Sequence, residues 1–248
     1  MQPESPAQKP RRYRHLVRWI FIGILSILGW YGWKAYDFHM VVKEATELGW
    51  RFTYDDPIAI IRENWRDAFR KDTWSDRRRD LYIETRAVSE RDFDLIRRLK
   101  PKTLLIIFTF PWRDLSPLKG LSNLTGLLLT NCPNLTNIDA LKDMKELTAL
   151  GIRGSPVLVN IDAVKELKSL ELLDLSVCTA LTNVDTLREL KALEFLNLYG
   201  CTGLKNVNGL LGLTGLENVS LNGCDGLTNE AVDAVKAALP KTNITPPF

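Results

Sequence analysis

The stretch Leu193–Gly215 reads "LEFLNLYGCTGLKNVNGLLGLTG". Its first half alternates, placing Leu196 and Leu198 two apart, as a strand must to send both to one face. Its second half returns an apolar residue at every third position, Leu204, Val207, Leu210 and Leu213, which suits a 3₁₀ or short helical segment. A strand and return of this size cannot bury its leucines alone and needs copies of itself on either side.

Those copies are present. Segments starting at Leu124, Leu147, Leu170, Leu193 and Leu216 each begin 23 residues after the last. Aligned, they give L-x-x-L-x-L-x-x-C-x-x-L-x-x-[IV]-x-x-L-x-x-L-x-x. A fixed period of this length is the mark of a solenoid. The pattern extends upstream in weaker form through Leu104, Ile106, Trp112, Leu115, Leu118 and Leu121, and one period earlier through Leu81 and Ile83. A more helical return, "SERDFDLIRRL", follows that earliest strand, and at the far end Leu239 and Ile244 fit a last partial strand stopped by "TPPF". The period predicts eight strands, near 81–84, 104–107, 127–129, 150–152, 173–175, 196–198, 219–221 and 242–244. Stacked coils would form a parallel sheet over a continuous leucine core.

Residues 81–248 therefore resemble a leucine-rich repeat domain. The pieces "CPNLT", "CTALT" and "CDGLT" are similar to the cysteine-containing subclass, with a shorter period of 23. The chain also resembles bacterial membrane-anchored leucine-rich repeat proteins. The resemblance implies an α/β solenoid, a horseshoe of parallel strands, and binding of other proteins rather than catalysis.

The 248-residue chain is 45% apolar and 25% charged, and a net charge of +3 is too small to argue for nucleic acid. Both histidines, His15 and His39, precede the repeats, so histidine acid–base or nucleophilic chemistry is not expected there. Nothing in the repeats resembles a nucleophile–base pair or a phosphate-cradling loop, and no enzyme activity or cofactor is expected. Lys9, Arg11, Arg12, Arg14 and Arg18 crowd residues 1–18, a basic tail. The uncharged run "WIFIGILSILGWYGW" follows at 19–33, flanked by aromatic residues. It reads as a single-pass anchor, extended by snorkelling of Arg18 and Lys34, with the N-terminus cytoplasmic and the repeats periplasmic or extracellular. A cleaved signal peptide and a buried helix are the alternatives. Residues 34–80 read as a cap on the first repeat: a helix near 37–49, the strand-like "WRFTYDD", and a helix near 57–70 with Ile58, Ile61, Trp65 and Phe69 on one face.

Two columns run through the repeats. Cys132, Cys178, Cys201 and Cys224 share the ninth position, with Ser155 in the odd repeat. Residues stepped by ~4.8 Å along one axis cannot converge on a tetrahedral zinc. They read as small buried fillers bonding to a neighbouring turn, with a Cys178–Cys201 or Cys201–Cys224 disulfide as the alternative. Asn137, Asn160, Asn183, Asn206 and Asn229 form the second column, with Asp139, Asp162 and Asp185 two residues on. They read as stacked amides and helix caps, with Ca²⁺ ligation as the alternative. The variable strand positions would face the concave side, where Arg153, Asp174, Phe195, Asn197, Tyr199 and Asn222 make up the expected partner-binding face. Exposed aromatics among polar groups are what protein hot spots use. The expected partner is a protein; a structural, self-associating role is the alternative.

Overall fold

The computed structural model describes residues 80–83, 90–106 and 110–247. The expected tail, anchor and cap at 1–79 lie outside the described residues, and residue 80 already belongs to the first strand. Among the described residues no helix is long and apolar enough to cross a membrane.

Among the described residues eight parallel strands pair strictly in chain order. They are β1 (Asp80–Ile83), β2 (Thr103–Ile106), β3 (Gly126–Thr130), β4 (Ala149–Arg153), β5 (Leu172–Asp174), β6 (Phe195–Asn197), β7 (Asn218–Ser220) and β8 (Asn243–Thr245). Each matches an expected strand to within a residue or so. The register shows why the repeat is legible: Leu81 pairs with Leu104, Leu104 with Leu127, Leu127 with Leu150, and so on to Val219, always 23 residues apart. A shift of one residue would turn every leucine outward, so the core holds the register. The inward leucines are almost wholly shielded: Leu150, Leu173, Leu187, Leu193 and Leu198 show no exposed surface. Burying each contributes roughly 1.5–3 kcal/mol.

Short 3₁₀ turns make most of the returns, at Asp139–Asp143, Asp162–Glu166, Asp185–Glu189 and Asn208–Leu210. Among the described residues two returns are α-helical. α1 (Glu90–Leu99) buries Phe93 and Ile96, and Phe93 meets Trp112 edge-on at 5.1 Å between ring centres. α2 (Asn229–Ala238) closes the far end, its Thr228 hydroxyl accepting from the Ala231 N–H at 3.3 Å. That longer helix changes the last register to 25, pairing Val219 with Ile244. Ile244 thus continues the Leu127–Val219 row, not the Leu198–Leu221 row that a strict 23-residue step had given it.

The asparagine column has a local task. Asn137 and Asn160 Oδ1 accept the N–H of Asp139 and Asp162 at 2.7 Å, and Asn183 and Asn206 do the same for Asp185 and Asn208. Asp114 plays this part for Ser116 at 2.8 Å, and those bonds hold its carboxyl below the usual range. The expectation that the aspartates cap the returns is corrected: the asparagine two residues earlier takes the N–H, and the aspartate opens the turn. Asp139 is instead paired with Lys142 at 2.7 Å, a surface contact worth little.

Candidate concave binding face

Each strand ends in a sharp turn. The eighth position of the repeat is left-handed in all five regular copies: Asn131 (φ 53), Gly154 (φ 64), Val177 (φ 61), Gly200 (φ 70) and Gly223 (φ 72). This geometry aims the N–H along the stack, so Gly154 donates to Ser176, Val177 to Tyr199 at 2.7 Å, and Gly200 to Asn222. It also swings the next residue into the core. There the thiols of Cys178, Cys201 and Cys224 donate to the carbonyls of Ile152, Leu175 and Leu198 at 3.3, 3.2 and 3.0 Å. All four cysteines are buried free thiols, so the reading as small fillers bonded to a neighbouring turn describes them. Burial pushes Cys132 and Cys178 up to about 12 and Cys224 to about 11, with Cys201 higher still.

The expected face divides into shut and open groups. Asp174 on β5 is only 2% exposed. Its Oδ2 accepts from Arg153 Nε at 2.7 Å and Nη2 at 2.6 Å, and its Oδ1 accepts the Ser176 N–H at 2.9 Å. The Arg153 side chain keeps 25% of its surface. Asn197 on β6 repeats the turn, its Oδ1 accepting the Tyr199 N–H at 3.0 Å. Phe195 is 6% exposed, so it is not the open aromatic that strand alternation suggested. Tyr199 is 54% exposed and Asn222 is open. The structure thus brings together an Arg153–Asp174 pair at mid-face and a Tyr199–Asn222 rim where the strands end.

Val177, 42% exposed, joins that rim and was missed from sequence. The signal was a β-branched residue in a column otherwise filled by asparagine and glycine. A left-handed backbone costs such a residue about 1–2 kcal/mol. Stability alone would place asparagine there, as at Asn131. Val177→Asn is therefore expected to stabilise the fold by about 1 kcal/mol, raising Tm by roughly 3 °C for a domain of this size. Thermal unfolding followed by circular dichroism checks this; an unchanged or lower Tm would refute the strain.

Among the described residues, no group of three or more His, Cys, Asp or Glu side chains is placed to hold a metal ion.

Twenty-three-residue coils, a parallel sheet built one rung per repeat and 3₁₀ returns define a leucine-rich repeat solenoid. No family model matches the chain, and no curated protein matches it significantly. Among solved structures, it is similar to an internalin from Listeria monocytogenes, at 20% identity and a TM-score of 0.49, over 67% of this chain and 46% of the internalin. It is similar to a leucine-rich repeat protein of Leptospira interrogans, at 19% identity and a TM-score of 0.40, over 65% of this chain and 52% of that one. The leucine-rich repeat domain of the type III effector XopL matches over 97% of this chain and 96% of its own, at 18% identity and a TM-score of 0.42. The chain thus spans about half the length of the first two. The fold assignment rests on the chain's own coils and register.

Proposed function

We propose that the protein is a membrane-anchored binding module whose repeat domain works outside the cytoplasm. It takes a protein partner at the rim formed by Val177, Tyr199 and Asn222, with Arg153 and Asn197 alongside. The observation that carries this reading is the pair Val177 and Tyr199. Two apolar groups stand in water, one of them on a strained backbone, linked by the 2.7 Å bond from Val177 N–H to the Tyr199 carbonyl. Strain kept at an exposed position points to contact rather than to stability. An aromatic anchor with amides around it suits a protein hot spot. The basic residues ahead of the 19–33 run support the anchor and its orientation.

Affinity capture from membranes with the full-length chain tests this. Tyr199→Ala should lower partner retention by at least ~10-fold, as loss of a hot-spot aromatic does, with Tm unchanged. Val177→Asn should weaken capture while raising Tm. Retention equal to that of the parent in both variants would remove this rim. Phe195 is unsuitable for such a test, because truncating a buried ring would disturb packing.

A further inference from the structure

The concave face changes character along the sheet. On β3–β5 its outward residues include Leu128, Leu172 and the Arg153–Asp174 pair. On β6–β8 and the turns that follow, Asn197, Tyr199, Asn218, Ser220, Asn222 and Asn243 present amides, a hydroxyl and a phenol ring, and none carries a charge. The register sets Asn197 beside Ser220 and Asn218 beside Asn243, one rung of ~4.8 Å apart. These groups meet water: Tyr199 is 54% exposed, Asn222 and Asn243 are exposed, and Asn197, Asn218 and Ser220 are half-buried.

Three of the amides are held from one end. Asn243 Nδ2 donates to Asn218 Oδ1 at 3.1 Å, and Asn197 Oδ1 accepts the Tyr199 N–H at 3.0 Å. An amide has two N–H donors and one carbonyl acceptor. Among the described residues those bonds leave the Nδ2 donors of Asn197 and Asn218 and the Oδ1 acceptor of Asn243 for a ligand. Thr245, beside Ser220, marks the end of the site: its hydroxyl donates to the Val219 carbonyl and accepts the Leu221 N–H, both at 3.3 Å.

Charge selects the class of ligand. A phosphate, sulfate or carboxylate would be met by a cation. The cation of this face, Arg153, is already bonded twice to Asp174. Glu194 and Glu217, one residue ahead of β6 and β7, would repel an anion. What suits neutral donors and acceptors fixed in advance is a ligand rich in neutral hydroxyls, each of which both gives and takes a hydrogen bond. A pyranose ring adds a flat face of C–H groups that lies on an aromatic ring. Rungs ~4.8 Å apart are about one sugar ring in length, so a chain lying along the sheet sets successive rings over successive rungs.

We infer that the β6–β8 end of the concave face binds a neutral oligosaccharide, one ring stacked on Tyr199 and hydroxyls bonded to Asn197, Asn218 and Asn243. This rests on the Tyr199 rim being a recognition site, as proposed above, and gives the partner there a chemistry: a protein that carries a neutral glycan.

Calorimetric titration of the full-length chain, in a detergent without a sugar headgroup, tests this with cellohexaose, maltohexaose, chitohexaose and the anionic polygalacturonate. At least one neutral chain should bind with a Kd of about 1 mM or tighter, and polygalacturonate should not bind. Tenfold more salt should change that Kd by less than about twofold. Tyr199→Ala should weaken it at least ~10-fold, and Asn218→Leu, which removes one amide, about 3–10-fold, with Tm unchanged in both. Should Asn218→Leu fail to fold, Asn243→Ala at the exposed edge gives the same readout. Absence of binding by all three neutral chains would overturn the inference. So would preference for polygalacturonate, or an affinity that neither Tyr199→Ala nor the amide variant changes. If the sugars fail while Tyr199-dependent capture persists, the rim stands and only its glycan chemistry is lost. Sugar binding without capture removes the protein partner instead.

Discussion

Alkali is expected to unfold the repeat domain cooperatively at about pH 10–11, with the thiols ionising in the same transition. An unfolded thiol titrates near its ordinary value of 9.0, whereas burial holds Cys132 and Cys178 near 12 and Cys224 near 11, with Cys201 above them. The main cause is desolvation, because the sulfurs sit in a dry leucine core. Neighbouring thiols add to it: Cys178 and Cys224 both raise Cys201, so each ionisation opposes the next. Below pH 9 both states hold the proton and nothing is lost. Above it the unfolded chain releases protons that the native state retains, so stability falls as pH rises from 9 toward 12. Each thiol removes about 1.4 kcal/mol per pH unit, and the four together more than 5. A typical domain stability of ~5–15 kcal/mol is used up within a few pH units at that slope. Denaturant titrations at successive pH values would measure it. Cys178→Ser with Cys201→Ser should roughly halve the slope, since a hydroxyl does not ionise there and Ser155 already fits this position. An unchanged slope in that variant would assign alkaline unfolding to lysines and tyrosines.

The core was legible because it is forced. Every coil must present an apolar residue at the same positions, so a period of 23 is printed in Leu124, Leu147, Leu170, Leu193 and Leu216. The cysteine column was legible for the same reason. Alternation along a strand, by contrast, tells which side a residue faces and is silent on whether that side is covered, which is how Phe195 came to be taken for exposed. A difference between strands was readable all the same: the outward Leu128, Leu172 and Phe195 are apolar where the outward Asn218, Ser220, Asn243 and Thr245 are polar. Val177 needed its backbone angle before its strain could be seen. The Asn–Asp spacing did not say which partner takes the N–H, because both side chains are competent acceptors. The shift of Ile244 followed from two extra residues in a helical return, a change in length that column counting cannot anticipate.

Replacing Arg153 by Met is expected to destabilise the fold by about 3 kcal/mol, lowering Tm by roughly 10 °C. The reason is the partner left behind. Asp174 is 2% exposed, and without Arg153 its Oδ2 loses both guanidinium bonds, of 2.7 and 2.6 Å. Only the Ser176 N–H remains, on the other oxygen. An uncompensated buried carboxylate costs about 3–5 kcal/mol when fully enclosed, and the partial exposure of Arg153 argues for the lower end. Arg153→Lys should recover only part of the loss, because an ammonium cannot present two parallel donors to one carboxylate. The double replacement Arg153→Met with Asp174→Leu removes both charges and extends the apolar strip of Leu172 and Phe195. It should return to within about 1 kcal/mol of the parent. A thermal double-mutant cycle reads this directly; a double variant as unstable as the two single losses combined would mean the pair is not coupled. The same cycle bears on recognition. Arg153 is already committed to Asp174, so an acidic partner group must compete with a buried carboxylate for it. The double variant should therefore keep capture at Tyr199 and Asn222 if the rim is the anchor, and lose it if the partner depends on the mid-face cation.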